Sequence, residues 1–72
     1  MIKQPDLDNW FTYHTPHAGQ PQRYERVRAA GKALAEAIVA CTPESADQSA
    51  AVRKVREAVM TANAAIACGG GP

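Results

Sequence analysis

The Thr42–Pro43 step divides the chain into two helical segments and so limits the folds open to it. A residue before proline avoids the α region, so a helix that reaches Thr42 ends there. Before the step, apolar or small side chains recur at intervals of three and four residues, the pattern of one helical face. This stripe comprises Tyr24, Val27, Gly31, Leu34, Ile38 and Cys41. A second stripe of the same spacing follows the step and comprises Val52, Val55, Val59, Ala62 and Ile66.

Two amphipathic helices joined by a short turn predict an all-α fold, an antiparallel two-helix hairpin. The first helix is predicted over residues 21–41, with proline in its favoured place in the first turn. The second helix has two possible starts. In one, Thr42 is the cap and Pro43 the first helical residue. In the other, Ser45 is the cap, and Gln48 closes a capping box three residues later.

The predicted domain organisation is an arm, a hairpin and a tail. Residues 1–20 form a short N-terminal arm, residues 21–68 form the α-helical hairpin, and residues 69–72 form a flexible C-terminal tail that stops the second helix. Within the arm, residues 6–11 are predicted to form one helical turn with Asp6 as its cap. The rest of the arm is predicted to be extended or looped, because proline and glycine interrupt any helix there.

Self-association is the predicted source of stability for so short a chain. A domain of 72 residues buries only about 60% of its unfolded surface, so disulfides, a metal or further copies are usually needed. Two cysteines make no disulfide framework, and the lack of a signal peptide predicts a reducing compartment in which Cys41 and Cys68 are free thiols. Cys41, on the stripe, is predicted to be a small buried side chain. His14 and His17 lie three residues apart with no Cys-x-x-Cys partner nearby, so neither a zinc site nor a cofactor is predicted.

Alanine occurs fifteen times, almost always within the two predicted helices. One interpretation is that alanine is simply the best helix former. The other, which we favour, is that several faces of each helix pack closely against neighbouring chains, because a two-helix unit has no third layer of its own. The chain is therefore predicted to form a compact homo-oligomer.

Composition argues against several functional classes. A net charge of +1 argues against a general DNA- or RNA-coating protein, for which a strongly basic balance is expected. No apolar run approaches the roughly 20 residues that span a membrane. The chain contains neither the phosphate-binding Gly-x-x-x-x-Gly-Lys loop nor the dinucleotide-binding Gly-x-Gly-x-x-Gly motif, and its carboxylates are scattered. We therefore expect a soluble, cytoplasmic, non-enzymatic protein with no nucleic-acid polymer or membrane as its partner.

A cationic stretch that follows an aromatic arm is the main indication of a ligand. The first half of the first helix carries Arg23, Arg26, Arg28 and Lys32 against Glu25 alone. Arg28 and Lys32 share one face, and Tyr13 and His14 lie in the arm before them. Arginine and lysine suit phosphate, and aromatic rings stack on nucleobases, so these residues suit a small phosphorylated ligand with a base. The alternative is an ordinary solvated face, with aromatic side chains that staple the arm to the hairpin.

Two stretches of the sequence carry a resemblance to a known family. One consists of Thr12-Tyr13-His14-x-Pro16, Gln20, Arg23-Tyr24-Glu25, Val27-Arg28, Lys32 and Leu34-Ala35. The other consists of Pro43-x-Ser45 and Ala58-Val59-Met60-x-Ala62-Asn63-Ala64-Ala65-Ile66-Ala67. Over these stretches the chain resembles the hairpin domain of phage anti-CBASS sponge proteins, which is related to the helical domain of anti-Thoeris sponges.

The resemblance implies an assembly, a ligand and a biological role. Proteins of this family are small helical hairpins that form compact hexamers and bind cyclic dinucleotides, made by bacterial immune cyclases, in pockets between protomers. They do not cleave the ligand. By sequestering it in the cytoplasm of the infected bacterial host, they keep the CBASS effector inactive.

The resemblance also implies site residues. The arm tyrosine of the family matches Tyr13, and its phosphate-binding cation matches Arg28, with Lys32 as second choice. His14 and Tyr24, in the same stretch, complete the predicted ligand-binding set. The family would have an arginine, linked to trinucleotide binding, where this chain has Cys68. That departure weakens the case for trinucleotide binding and leaves the dinucleotide pocket intact.

Three functional hypotheses remain open from the sequence. The first is a ligand sponge without catalysis. The second is a structural or protein-interaction hairpin with no nucleotide ligand. The third, which we favour least, is a phosphodiesterase that uses His14 as acid or base, because no nucleophile lies near it in the sequence.

Overall fold

The computed structural model describes residues 2–69, and all regular secondary structure within this range is helical. Helix α1 spans Gln4–Trp10, α2 spans Gln20–Cys41 and α3 spans Ala46–Cys68. The all-α prediction is confirmed, and α2 begins one residue before its predicted start. Residues 70–72 of the predicted tail lie outside the described residues. None of the helices within residues 2–69 is long and apolar enough to cross a membrane.

Helix α1 is longer than the single turn predicted for the arm, and it begins elsewhere. Its N-cap residue is Lys3, and Asp6 lies three residues later, where Oδ2 accepts a hydrogen bond from the Lys3 N–H at 3.0 Å. The prediction of Asp6 as the cap was therefore wrong. A carboxylate in the first turn is still favourable, because the unpaired N–H groups and the helix dipole attract negative charge there.

Helix α2 begins and ends at residues with special backbone requirements. Gly19 precedes it with a φ of 87°, in the left-handed region that glycine adopts freely, and Pro21 follows in the first turn. The helix ends where Thr42 becomes extended ahead of Pro43, and the Thr42 N–H donates to Ile38 O at 3.1 Å. The break predicted at the Thr42–Pro43 step is confirmed.

Helix α3 is capped by Ser45, so the second of the two predicted starts is correct. Ser45 Oγ accepts a hydrogen bond from the Gln48 N–H at 3.1 Å. The capping box does not close, because the Gln48 side chain turns toward the end of α2. Its Nε2 donates to Thr42 O at 3.1 Å and to Val39 O at 3.4 Å. The last carbonyl groups of a helix have no partner within the helix. By donating to carbonyl groups at the end of α2, the Gln48 side chain joins the start of α3 to that end.

Helices α2 and α3 pack against each other in antiparallel directions, and they approach closely at Gly31. A Cβ atom on Gly31 would overlap Val59 Cγ2 and would lie 3.8 Å from Val55 Cγ1. The two helices therefore come nearer to each other here than a larger residue would allow. Both valines belong to the predicted stripe of α3, so the stripes do face each other.

Burial is shallow in the single chain. No apolar side chain between residues 2 and 69 is fully buried, and Leu34, from the predicted stripe, is 54% exposed. Cys41 is also exposed, so the prediction that it is a small buried side chain was wrong for the single chain. The reason is the architecture. The protein measures 43 × 30 × 15 Å, which is little thicker than one helix, so each helix has only one face covered.

The arm packs against the end of the hairpin remote from its turn. Asn9 Nδ2 donates to Cys68 O at 3.2 Å, and Cys68 Sγ lies 3.9 Å from Asn9 O. Gln20, which is only 2% exposed, donates from Nε2 to Ile66 O at 3.0 Å. Its Oε1 accepts from the His17 N–H at 2.9 Å. The bonds from Asn9 and Gln20 hold the end of α1 and the C-terminal end of the arm on the last turns of α3.

The two thiols lie at opposite ends of the hairpin. Cys41 is the last residue of α2, beside the turn, and Cys68 is the last residue of α3, beside the arm; both are free. A helix as long as α3 separates them by roughly 30 Å. A bridge within one chain tolerates only about 7 Å between Cα atoms.

Candidate functional site

A groove lined by both long helices contains the predicted cations of α2. We name it the cationic groove, and its volume is about 260 Å³. Its lining consists of Arg28, Gly31, Lys32, Ala35, Val52, Val55, Arg56, Val59 and Met60. The structure thus brings Arg28 and Lys32 together, as their four-residue spacing predicted. It adds a third cation, Arg56, which sequence reasoning missed.

The close helix contact explains why Arg56 lines this groove. Where the helices meet at Gly31, longer side chains have no room between them and lie beside the line of contact. Arg28 and Lys32 do so from α2, and Arg56 does so from α3, one residue after Val55. The sequence holds a signal for this arrangement, because setting Gly31 against the valine stripe fixes the antiparallel register. Periodicity within either helix alone does not reveal it.

The chemistry of the cationic groove suits an anionic ligand that also has an apolar part. Its three cations are exposed, and none of them forms an ion pair with any residue between 2 and 69. Guanidinium and ammonium groups donate strong hydrogen bonds to phosphate oxygens. The valine, alanine and methionine side chains between them offer a surface for a ring system. Among residues 2–69, no side chain with an imidazole, carboxylate, hydroxyl or thiol group lines this groove.

Tyr13 lies on the non-helical part of the arm and is 83% exposed. Its ring is free to stack, but it is not among the residues that line the cationic groove. The arm joins the hairpin where Gln20 meets Ile66, and Arg28 lies eight residues, about 12 Å, further along α2. One chain therefore does not bring the predicted base-stacking residue and the predicted phosphate-binding residues together.

His14 and Tyr24 are half-buried near the same end of the hairpin. His14 Nε2 lies 2.6 Å from Asn9 O. Because a carbonyl oxygen only accepts, this nitrogen carries the ring proton and donates it. His14 thus connects two parts of the arm, the end of α1 and the stretch that follows it. Neither residue is among those that line the cationic groove, and their part in ligand binding stays a prediction.

A second groove lies on the other side of the same helix contact, and we name it the apolar groove. Its volume is about 460 Å³. Its lining consists of Val27, Ala30, Gly31, Leu34, Lys54, Val55, Ala58, Val59 and Ala62. Apart from Lys54 the lining is apolar, and an exposed apolar surface of this kind is typical of protein–protein contacts.

The described part of the chain offers no metal centre. Within residues 2–69, no three histidine, cysteine or acidic side chains come close enough to share an ion. Of the two histidines, His14 already uses Nε2 to donate to a backbone carbonyl.

A comparison with known protein families identifies the family to which the chain belongs. A family model described as Acb2/Tad1, hairpin domain, matches residues 3–67, which include α1, α2 and all of α3 except its last residue. No curated protein and no solved structure gives a significant match. The matched range includes every residue of the cationic groove. The family match confirms the resemblance to anti-CBASS and anti-Thoeris sponges that the two sequence stretches carry. The chain belongs to the Acb2/Tad1 hairpin-domain family.

Proposed function

We propose that the chain binds cyclic dinucleotide immune messengers, such as cyclic GMP-AMP, and sequesters them without cleavage. This would block activation of the bacterial CBASS effector. The observation that carries the proposal is the cationic groove, which sets three cations around an apolar floor in a member of a sponge-associated family.

The groove matches the two chemical parts of such a ligand. A cyclic dinucleotide has two negatively charged phosphodiester groups, and each hydrogen bond to a charged group contributes about 1.5–3 kcal/mol. Its bases are flat and largely apolar on their faces. Met60, which is 59% exposed, offers such a face a polarisable sulfur contact.

A second copy of the chain is proposed to complete the site. The volume of about 260 Å³ is smaller than the roughly 300–1,000 Å³ of pockets that enclose ligands of this size. The exposed ring of Tyr13 lies away from the groove of its own chain, which supports stacking on a base held in a neighbouring chain. The site would then lie between protomers of a homo-oligomer, for which we propose the hexamer implied by the family.

The proposal includes no catalytic step. Cleavage of a phosphodiester needs an activated nucleophile and groups that move protons. In the part of the chain that the structure describes, no histidine, carboxylate, hydroxyl or thiol side chain that could act as nucleophile, acid or base lines the cationic groove. His14, weighed as an acid or base, donates its Nε2 proton to Asn9 O within the arm.

A release experiment separates the three hypotheses. The protein is incubated with cyclic GMP-AMP, freed of unbound ligand, heat-denatured and analysed by liquid chromatography. Intact cyclic GMP-AMP is the expected product. Linear dinucleotide would show a phosphodiesterase instead. Recovery of neither compound would favour a structural or protein-interaction hairpin.

Oligomer formation is expected at micromolar concentration, because large apolar side chains on both helices stay exposed in the single chain. These are Leu34, Val39 and Met60, at 54%, 56% and 59% exposure. Removing apolar surface from water stabilises the assembly by about 25 cal/mol per Å² buried. Light scattering coupled to size exclusion should give a mass of six chains. A mass of one chain would contradict both the assembly and a site shared between protomers.

A further inference from the structure

We infer that Arg56 holds one phosphate of the bound ligand from α3, while Arg28 and Lys32 hold the other from α2. The cationic groove would then select ligands with two phosphate groups over ligands with one. This inference rests on the proposed function and deepens it, since it adds a binding residue and a basis for ligand selection.

The first argument is position. Arg56 and the pair formed by Arg28 and Lys32 belong to different helices, and all three line one groove. The line of helix contact at Gly31 runs between them. A ligand that lies along this line meets cations from both helices. Two phosphates on opposite edges of a ring-shaped ligand can therefore bind different helices at the same time.

The second argument concerns the local charge around each cation. On a helix, side chains three or four residues apart are neighbours. Glu25 is three residues before Arg28, and Glu36 is four residues after Lys32, so both cations of α2 have an acidic neighbour. The corresponding neighbours of Arg56 are Val52, Arg53, Val59 and Met60. No acid on its own helix competes for Arg56, which leaves its guanidinium group for a ligand.

The third argument is the chemistry of the group. A guanidinium group presents a planar fork of donors that can bind two oxygens of one phosphate, which an ammonium group cannot match. Repulsion between cations on the two sides of a groove is relieved when an anion lies between them. A mononucleotide has one phosphate and can satisfy one side only. A cyclic dinucleotide can satisfy both.

The test compares three variants by isothermal titration with cyclic GMP-AMP and with 3′,5′-cyclic GMP, which has a single phosphate. Arg56→Met keeps the apolar stem and removes the charge. Arg56→Lys keeps the charge without the fork. Arg53→Met is the matched control, because Arg53 is an exposed arginine of the same helix that is not among the residues lining the cationic groove.

Arg56→Met is expected to weaken binding of cyclic GMP-AMP by about ten- to a hundredfold and to leave the weaker binding of 3′,5′-cyclic GMP unchanged. Arg56→Lys should fall in between, and Arg53→Met should match the wild type. Wild-type affinity in Arg56→Met would overturn the inference and leave the proposed function standing. The inference would also be overturned by an equal loss of affinity for both ligands, or by a loss of affinity accompanied by a change in oligomer mass. If the wild-type protein binds no cyclic dinucleotide, the proposed function fails and the inference fails with it.

Discussion

Gly31→Leu is expected to lower the free energy of unfolding by about 3 kcal/mol, because it forces side-chain atoms into the contact between α2 and α3. Even a Cβ atom at this position would overlap Val59 Cγ2. A valine side chain has little freedom to move aside, since its branching at Cβ restricts its rotamers. Urea unfolding followed by circular dichroism measures the effect. All variants are compared at one protein concentration, because the stability of an oligomer depends on concentration.

A double-mutant comparison isolates the cause. In an ordinary helix interior, glycine to alanine stabilises by about 1 kcal/mol. Here we expect Gly31→Ala to destabilise the wild-type protein, because the overlap with Val59 outweighs helix propensity. In a Val59→Ala background the overlapping atom is gone, so the same substitution should stabilise. If Gly31→Ala stabilised both backgrounds, the two helices would not be in contact at this residue.

Tyr13→Ala and Arg28→Ala are each expected to weaken binding of cyclic GMP-AMP by about ten- to a hundredfold. Loss of a stacking ring costs about 1–3 kcal/mol, and loss of a charge-assisted contact to phosphate costs about 1.5–3 kcal/mol. Neither change should alter the oligomer, because neither residue belongs to the apolar stripes of the two long helices. Isothermal titration gives the affinities, and light scattering gives the mass.

Each of these variants has a control within the chain. Phe11→Ala removes an arm ring that is 85% exposed, and Arg26→Ala removes an exposed cation of α2 that is not among the residues lining the cationic groove. Both controls should bind like the wild type. Wild-type affinity in Tyr13→Ala and Arg28→Ala would mean that the ligand binds elsewhere. Dissociation into single chains would mean that the two residues are structural.

The long helices could be predicted closely because their signals are local. The stripes, the Thr42–Pro43 step and the serine cap each act within a few residues, and the bounds of α2 and α3 lie within one residue of those predicted, once Ser45 is taken as the cap. The start of α1 was harder. Asp6 is a good capping residue in isolation, but the helix begins at Lys3, and the aspartate serves inside the first turn instead. Whether an aspartate caps a helix or lies inside its first turn depends on the conformation of the whole turn and not on the aspartate alone.

The residues of the cationic groove could be predicted from the sequence only where a single helix positions them. Arg28 and Lys32 share a face by spacing alone, and both line the cationic groove. Arg56 depends on the register between two helices, which the contact at Gly31 sets. The position of Tyr13 depends on an arm held by bonds between residues 59 positions apart, and no local pattern encodes such a bond. A stripe also cannot show whether Leu34 is covered by its own chain or by another.

The hydrogen bonds between Asn9 and Cys68 make the arm and the last turn of α3 thermodynamically linked. Fraying of that turn would release the arm, and release of the arm would leave the terminal carbonyl group of Cys68 without this donor. Linkage is reciprocal, so whatever immobilises one partner must stabilise the other by the same free energy. A base stacked on Tyr13 would therefore slow amide hydrogen exchange in the final turn of α3, a segment that the ligand need not touch.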